Sequence, residues 1–206
     1  MLPELGGRRI VDLGCGFGWF ARHAAGQGAK SVLGFDISER MIDRARHETT
    51  DPNIRYEIAD LEALNLPPAS FDLAYSSLAF HYIEDSGRLA ATIHNTFAPG
   101  GNFVFTIEHP IYMAPTKPAW TMDEEGRRIW PLNGYSREGR RTTDWLAKGV
   151  VKYHRTLGET LNTLIYNDFS IRRIEEWRPN GAQLGAHPEW AEEMDRPMFL
   201  LIAAQR

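Results

Sequence analysis

The sequence predicts an α/β fold, a parallel sheet with helices packed on both of its faces. Three observations carry that expectation. Short β-rich runs alternate with helix-forming stretches through the first half of the chain, as consecutive βαβ units do. The first run ends in a glycine-rich turn, and a helix-forming stretch begins just beyond it. Aspartates stand at three successive strand ends, at Asp12, Asp36 and Asp60. Right-handed crossovers follow from parallel pairing.

Taken in order, residues 9–13 read as the first strand and residues 19–26 as a helix. Residues 31–36 form a second apolar run that ends on an acid. Residues 38–49 read as a helix with Ser38 as N-cap. Strands are expected at 54–59, 71–76 and 102–108, and a helix at 85–97 that stops at the Ala98-Pro99-Gly100-Gly101 turn signal. From 109 to about 150 the chain is rich in Pro, Gly, Arg and Trp and shows no sustained period of 2 or 3.6. A long stretch of that kind inside a compact domain is usually functional. Its aromatic residues predict an ordered, irregular lid inserted after the fifth strand. Thr156-x-x-Glu159 then opens a capped helix that runs to about Asn167. Residues 169–177 and 198–204 read as a closing strand pair.

Composition narrows the function classes. A chain of 206 residues, 43% hydrophobic, suits a single domain with a sizeable core. Within it, three parts are expected: residues 9–108 with the strand–helix alternation and the glycine turn, 109–155 the insertion, and 156–206 the closing helix and strand pair. A net charge of -4 and a pI near 6.0 carry no electrostatic footprint for nucleic acid. The longest apolar runs, such as 199–204, are too short for membrane insertion. The first residues lack the basic region and apolar run of a signal peptide. Cys15 is the sole cysteine, so no intrachain disulfide forms, and a cytoplasmic location is expected. No residue grouping has metal-ligand spacing, and Gly-x-Ser-x-Gly is absent.

The chemistry is concentrated in Val11-Asp12-Leu13-Gly14-Cys15-Gly16-Phe17-Gly18. Glycines let a ligand approach the main chain closely, and the amides at a helix start favour polar or anionic groups. A glycine turn alone also fits dinucleotide binding, but the third glycine of Gly-x-Gly-x-x-Gly would fall at Trp19. A carboxylate at Asp12 would repel a pyrophosphate, and it suits a cationic amino group. Asp36, 22 residues after Gly14, is placed to accept from ribose hydroxyls. Asp60 could accept from an adenine amino group.

This set, with Ser70-Phe71-Asp72-Leu73 and Pro99-Gly100-Gly101, resembles the class I S-adenosylmethionine-dependent methyltransferases. The resemblance is strongest to the small-molecule branch of ubiquinone and menaquinone biosynthesis, and it covers residues 9–108 best. It implies a Rossmann-like doubly wound sheet of seven strands with the last antiparallel. It implies S-adenosylmethionine as cofactor, S-adenosylhomocysteine as product and a small-molecule acceptor methylated at O, N or C by a monomer or homodimer. It places Asp12, Gly14, Cys15, Gly16 and Gly18 at the methionine part, Asp36 at the ribose, and Asp60 with Leu61 at the adenine. Ile37 and Met41 would pack on the adenosine, and Ser76 and Ser77 would complete the pocket. Members of the family carry helices before the first strand, whereas about eight residues precede it here. The expectation is a shortened chain, or a pocket closed by another element or subunit. A non-catalytic binder of the same cofactor and, less favoured, a nucleotide-cofactor oxidoreductase are the rival readings.

The reaction zone is expected at residues 76–82, just past the fourth strand. His81 is the first candidate for a general base, since an ordinary histidine titrates near neutrality, with a capping or packing role as its alternative. Glu108 and His109, at the end of the fifth strand, are the next catalytic candidates. Tyr82, Tyr112, Trp120 and Trp145 are candidates for acceptor binding, with Trp130 available for the same aromatic cage. Packing is the commoner fate of such aromatics. His154 could point into the pocket and the cluster Arg137, Arg140, Arg141 could recognise an acidic acceptor, but both read more readily as surface features.

Overall fold

The computed structural model describes residues 1–145 and 147–206, with all of their side chains except those of 145 and 147. Its first half follows the alternation closely: β1 (Arg9–Leu13), α1 (Trp19–Gly26), β2 (Ser31–Asp36), α2 (Glu39–His47), β3 (Ile54–Ile58), β4 (Phe71–Ser77), α3 (Ser86–Thr96) and β5 (Phe97–Glu108). Then come α4 (Pro110–Met113), a short ribbon of β6 (Thr121–Met122) and β7 (Arg128–Ile129), and the hairpin of β8 (Gly139–Trp145) and β9 (Ala147–His154). The chain closes with α5 (Leu157–Ile165), β10 (Ser170–Glu176), α6 (Gly181–Ala186) and β11 (Phe199–Gln205).

Seven strands make one sheet in the order β10-β11-β5-β4-β1-β2-β3. β1 pairs in parallel with both β2 and β4, so the chain winds outward through β2 and β3 and then returns to the other side of β1. That reversal opens a crevice at the carboxyl ends of β1 and β4, where doubly wound sheets bind ligands. β11, the last strand, runs antiparallel to both β5 and β10.

Alternate side chains along each strand feed two cores. On one face Val11, Leu13, Phe103 and Phe105 pack with Leu89 and Ile93 of α3 and Leu164 of α5. On the other, Ile10, Val32 and Val104 pack with Phe20 and Ala24 of α1 and Ile42 of α2. Local signals set the helix starts. The Ser38 hydroxyl accepts from the Met41 amide, the Asp85 carboxylate from that of Arg88 and the Thr156 hydroxyl from that of Glu159.

Two segments differ from the sequence expectation. Residues 98–101 do not end an element. β5 begins at Phe97, which pairs with Phe71, and the register then slips so that Asn102 faces Leu73. The turn signal is used as a bulge inside a strand, with Gly100 at φ 82°. The insertion, expected to be irregular, is half built from the long β8–β9 hairpin. The alternation is present there, but its buried members are Lys152 and His154, at 2% and 0% exposure. A hydropathy pattern cannot register a period whose inward positions are charged or polar.

Candidate functional site

The glycine turn between β1 and α1 is held from beneath. Gly14 and Cys15 both donate their amides to the Phe35 carbonyl of β2 at 2.8 Å. Gly14, Gly16 and Gly18 all have positive φ, a backbone that side chains resist. A Cβ on Gly14 would lie 2.2 Å from that of Ala79, and one on Gly18 would lie 2.2 Å from the Tyr56 hydroxyl. The first close approach brings the loop after β4 against the turn. The second shows that Tyr56, from β3, supports the turn, and its hydroxyl donates to the Gly18 carbonyl at 3.3 Å. At Gly16, by contrast, a Cβ would meet open space.

Asp36 ends β2 beside this turn. One of its oxygens accepts from the Gly16 amide at 2.8 Å and the other from the Ser38 amide at 2.9 Å. Asp36 therefore joins the glycine turn to the start of α2, and each oxygen keeps a second lone pair for a ligand. Asp12 lies beneath the turn at 2% exposure. Its Oδ2 is buried with no hydrogen-bond partner among the described residues. Burial, reinforced by Asp36, pushes its carboxyl up to about 8. An ionised carboxylate in that place is strongly disfavoured unless a cation or donor joins it.

A cleft of about 320 Å³ opens at the crevice. Gly14, Asp36, Ile37, Asp60, Leu61 and Ser77 line it, together with Ala79, Tyr82 and Ile83 from the loop after β4. Ile37 stands 68% exposed at its edge, an apolar surface that wants covering. The remaining cofactor candidates stand back from the cavity. Cys15 is buried under the turn, where burial pushes its thiol up. Gly18 faces Tyr56, Ser76 is fully buried, and Met41 is exposed on α2.

The proposed bases have other surroundings than the sequence suggests. His81 is 3% exposed and faces a separate small cavity that Glu108, Thr160 and Thr163 also line. Its Nδ1 accepts from the Glu108 amide at 3.4 Å. Burial, helped by Lys152 and Arg155, lowers its pKa to about 3. Such an imidazole stays neutral and is a weak proton acceptor. His109 caps α4: its Nδ1 accepts from the Ile111 amide at 3.0 Å, and Nε2–H then donates to Glu176 at 2.9 Å. The Glu108 carboxylate is ion-paired with Lys152 in the interior. Glu108 and His109 are thus tied to other side chains at the carboxyl edge of the sheet, whereas the buried Nε2 of His81 has no hydrogen-bond partner among the described residues.

Tyr112, Trp120 and Trp130 cluster, and the chain covers the cluster with its own cation. Tyr112 and Trp130 stack at 5.7 Å, and Trp120 meets Trp130 edge-on. The Arg196 guanidinium lies 4.6 Å from the Tyr112 and Trp130 rings and 5.2 Å from that of Trp120. Arg196 also pairs with Glu193 at 2.7 Å, and both are almost fully buried. An acceptor cannot occupy the face that Arg196 covers. Trp145 falls outside the described side chains. His154, expected at the surface, is fully buried and bonded to the Tyr135 carbonyl at 2.8 Å. Arg141 is part-buried and donates to the carbonyls of Gly134 and Arg137, while Arg140 stays exposed.

The insertion is anchored to the rim of the cleft. Arg155 donates to the carbonyls of Ile83 and Glu84 at 2.7 and 2.6 Å. Tyr153 donates to Glu84 at 2.9 Å. Arg155, Lys152, Tyr56 and Arg196 are the residues for which sequence reasoning had no signal. Each acts through a partner distant in the chain, and none belongs to a local motif.

A doubly wound sheet with a last antiparallel strand, a glycine turn after β1 and an acid at the end of β2 is the architecture of a class I methyltransferase. Comparison with known proteins agrees. Residues 11–105 match the family model described as a methyltransferase domain. The crystal structure of an S-adenosylmethionine-dependent methyltransferase from Mesorhizobium loti is 62% identical, with a TM-score of 0.97 over 100% of this chain and 94% of that one. The chain belongs to the S-adenosylmethionine-dependent methyltransferases, and S-adenosylmethionine is its cofactor. An uncharacterized protein of Haemophilus influenzae is 32% identical over 100% of this chain and 84% of its own length. The trans-aconitate 2-methyltransferase of Deinococcus radiodurans is 36% identical over 102 residues, 49% of this chain and 38% of that protein.

Proposed function

We propose that the protein transfers the methyl group of S-adenosylmethionine to O, N or C of a small-molecule acceptor. It does so as one domain whose half at 9–108 holds the donor and whose insertion at 109–155 faces the acceptor. The observation that supports this best is the buried, unpartnered Oδ2 of Asp12 below an open glycine turn. A protein keeps a costly carboxylate there when a cationic amino group, directly or through water, completes it. The rest of the cleft fits the same ligand. Asp36 retains lone pairs for two ribose hydroxyls, Ile37 and Leu61 offer apolar surface for a purine, and Asp60 stands where an exocyclic amine would need an acceptor.

When bound, the cofactor supplies an electrophilic methyl group on a sulfonium. The chain's part is to orient and to exclude water, which alone can supply much of the rate. Gly14, locked against Ala79, fixes the turn. Ser77, Tyr82 and Ile83 shape the wall from which an acceptor would approach. His81, Glu108 and His109 hold that wall and do not take the acceptor's proton.

Calorimetric titration with S-adenosylhomocysteine, and separately with NADH, tests the reading. S-adenosylhomocysteine should bind and NADH should not, and the reverse would overturn it. Asp36→Ala should weaken binding by about 10- to 100-fold, as expected for loss of charged hydrogen bonds of about 1.5–3 kcal/mol. A labelled-methyl screen with a metabolite extract separates an enzyme from a silent binder.

A further inference from the structure

A second cleft, of about 520 Å³, is bounded by the end of β5, the segment after α4 and the β8–β9 hairpin. Its size suits a small organic ligand. Glu108 at the carboxyl end of β5 lies at one end of it, Lys117 follows α4, and Arg141, Asp144 and Lys152 come from the hairpin. Tyr82 stands between the two spaces. It lines the cofactor cleft, and its ring lies 6.0 Å from Nζ of Lys152 in the wall of the second.

The charges in this wall do not cancel. Glu108 and Lys152 neutralise one another. Asp144 accepts from the Gly149 amide at 3.0 Å, which leaves its charge in place opposite two cations. Those are Lys117, which is exposed, and Arg141, whose terminal nitrogens donate to the neutral carbonyls of Gly134, Arg137 and Arg140. The balance is positive, and it faces an open cavity. Neither nearby histidine lines this cleft; burial lowers the pKa of both, and both ring nitrogens of His109 are engaged, by the Ile111 amide and Glu176. An acceptor that binds here meets no histidine, so one that arrives with its nucleophilic lone pair already free asks least of the chain.

We infer that the cleft bounded by Lys117, Arg141 and the Glu108–Lys152 pair is the acceptor site, and that its acceptor is a small carboxylate methylated on oxygen. The inference rests on the methyl-transfer reading above. A carboxylate is ionised at neutral pH and complements the excess cations. The balance of the step is simple. A new C–O bond forms to the carboxylate oxygen, the methyl–sulfur bond breaks, and its electron pair stays on sulfur. Anion and sulfonium become a neutral ester and a thioether, and no proton is left for the protein to remove.

The test uses the whole protein, methyl-tritiated S-adenosylmethionine and a metabolite extract, with the products then treated with alkali. Methyl esters release volatile methanol, whereas N-methyl, C-methyl and ether products keep their label. Most of the label should become volatile. Lys117→Glu should raise the extract concentration for half-maximal rate about tenfold, the effect of losing one charged contact. It should leave S-adenosylhomocysteine affinity unchanged, and Lys30→Glu, the same charge change on a distant surface, should do neither. Alkali-stable label overturns the inference, as does an unaltered half-maximal concentration in Lys117→Glu. Binding of S-adenosylhomocysteine with no label transferred also overturns it. Failure to bind S-adenosylhomocysteine at all would instead overturn the methyl-transfer reading on which it rests.

Discussion

Replacing Asp12 with asparagine should make the ligand-free protein more stable while removing its affinity for the cofactor. The carboxyl is raised from 3.8 to about 8, with burial as the main cause. For an acid, a raised folded-state pKa means that folding favours the protonated form. Stability is full below the unfolded value and falls as pH rises from about 4 to about 8. Between 3.8 and pH 7 the loss spans about three pH units at about 1.36 kcal/mol each, or about 4 kcal/mol. Domains of this kind are stable by only about 5–15 kcal/mol, so one residue accounts for much of the margin. The substituted side chain would carry no charge but would still bury an amide, so the expected gain is about 2–4 kcal/mol at pH 7. The assay is urea unfolding of both proteins from pH 4 to pH 8, with the difference taken at each pH so that other titrating groups cancel. The difference should be small at pH 4 and grow with pH. A flat difference, or a variant less stable at pH 7, would refute the argument from burial. The same variant should bind S-adenosylhomocysteine at least tenfold more weakly, and unchanged binding would remove Asp12 from the site.

Other predictions concern single contacts. Gly14→Ala forces a Cβ to 2.2 Å from that of Ala79 at a φ of 76°; it should lower the melting temperature and abolish S-adenosylhomocysteine binding, and a tolerated alanine would show that the turn is not locked. Because His81 titrates at about 3, the methyl-transfer rate should show no ionisation near pH 6.5, and a limb there that vanishes in His81→Gln would restore His81 as a base. Arg196→Ala leaves Glu193 buried without its partner and empties the aromatic cage, so it should destabilise by about 3–5 kcal/mol, read from denaturant unfolding, with an altered near-ultraviolet signal from Trp120 and Trp130.

The first half of the chain was legible because its motifs are local. Asp12 to Gly18 is one contiguous stretch, and Asp36 and Asp60 follow at strand ends that hydropathy alone locates. The insertion was opaque for the opposite reason. Its strands bury Lys152 and His154, which no apolar periodicity marks, and its fixed points are long-range pairs. Glu108 with Lys152 spans 44 residues of chain, and Arg155 with Ile83 spans 72. His81 shows the limit of position as evidence. Residue type and place after β4 suggested a base, yet burial beside two cations sets its proton affinity, and both cations come from a part of the chain whose folding the sequence did not disclose. Tyr112, Trp120 and Trp130 were recognisable as a cluster, but the guanidinium among them lies 66 or more residues further on.

Among the described residues the β8–β9 hairpin forms a sheet of its own and shares no ladder with the seven-stranded one. It can therefore be exchanged, lengthened or reshaped without disturbing a single register of the scaffold. Two contacts must be kept. Whatever replaces the hairpin must bring a cation to Glu108 and a donor to the Glu84 carboxylate, as Lys152 and Tyr153 do. A graft that keeps those two anchor points and varies the positions between them offers a direct route to new acceptors on an unchanged donor platform. Natural relatives that diverge in substrate should differ most between the same anchors.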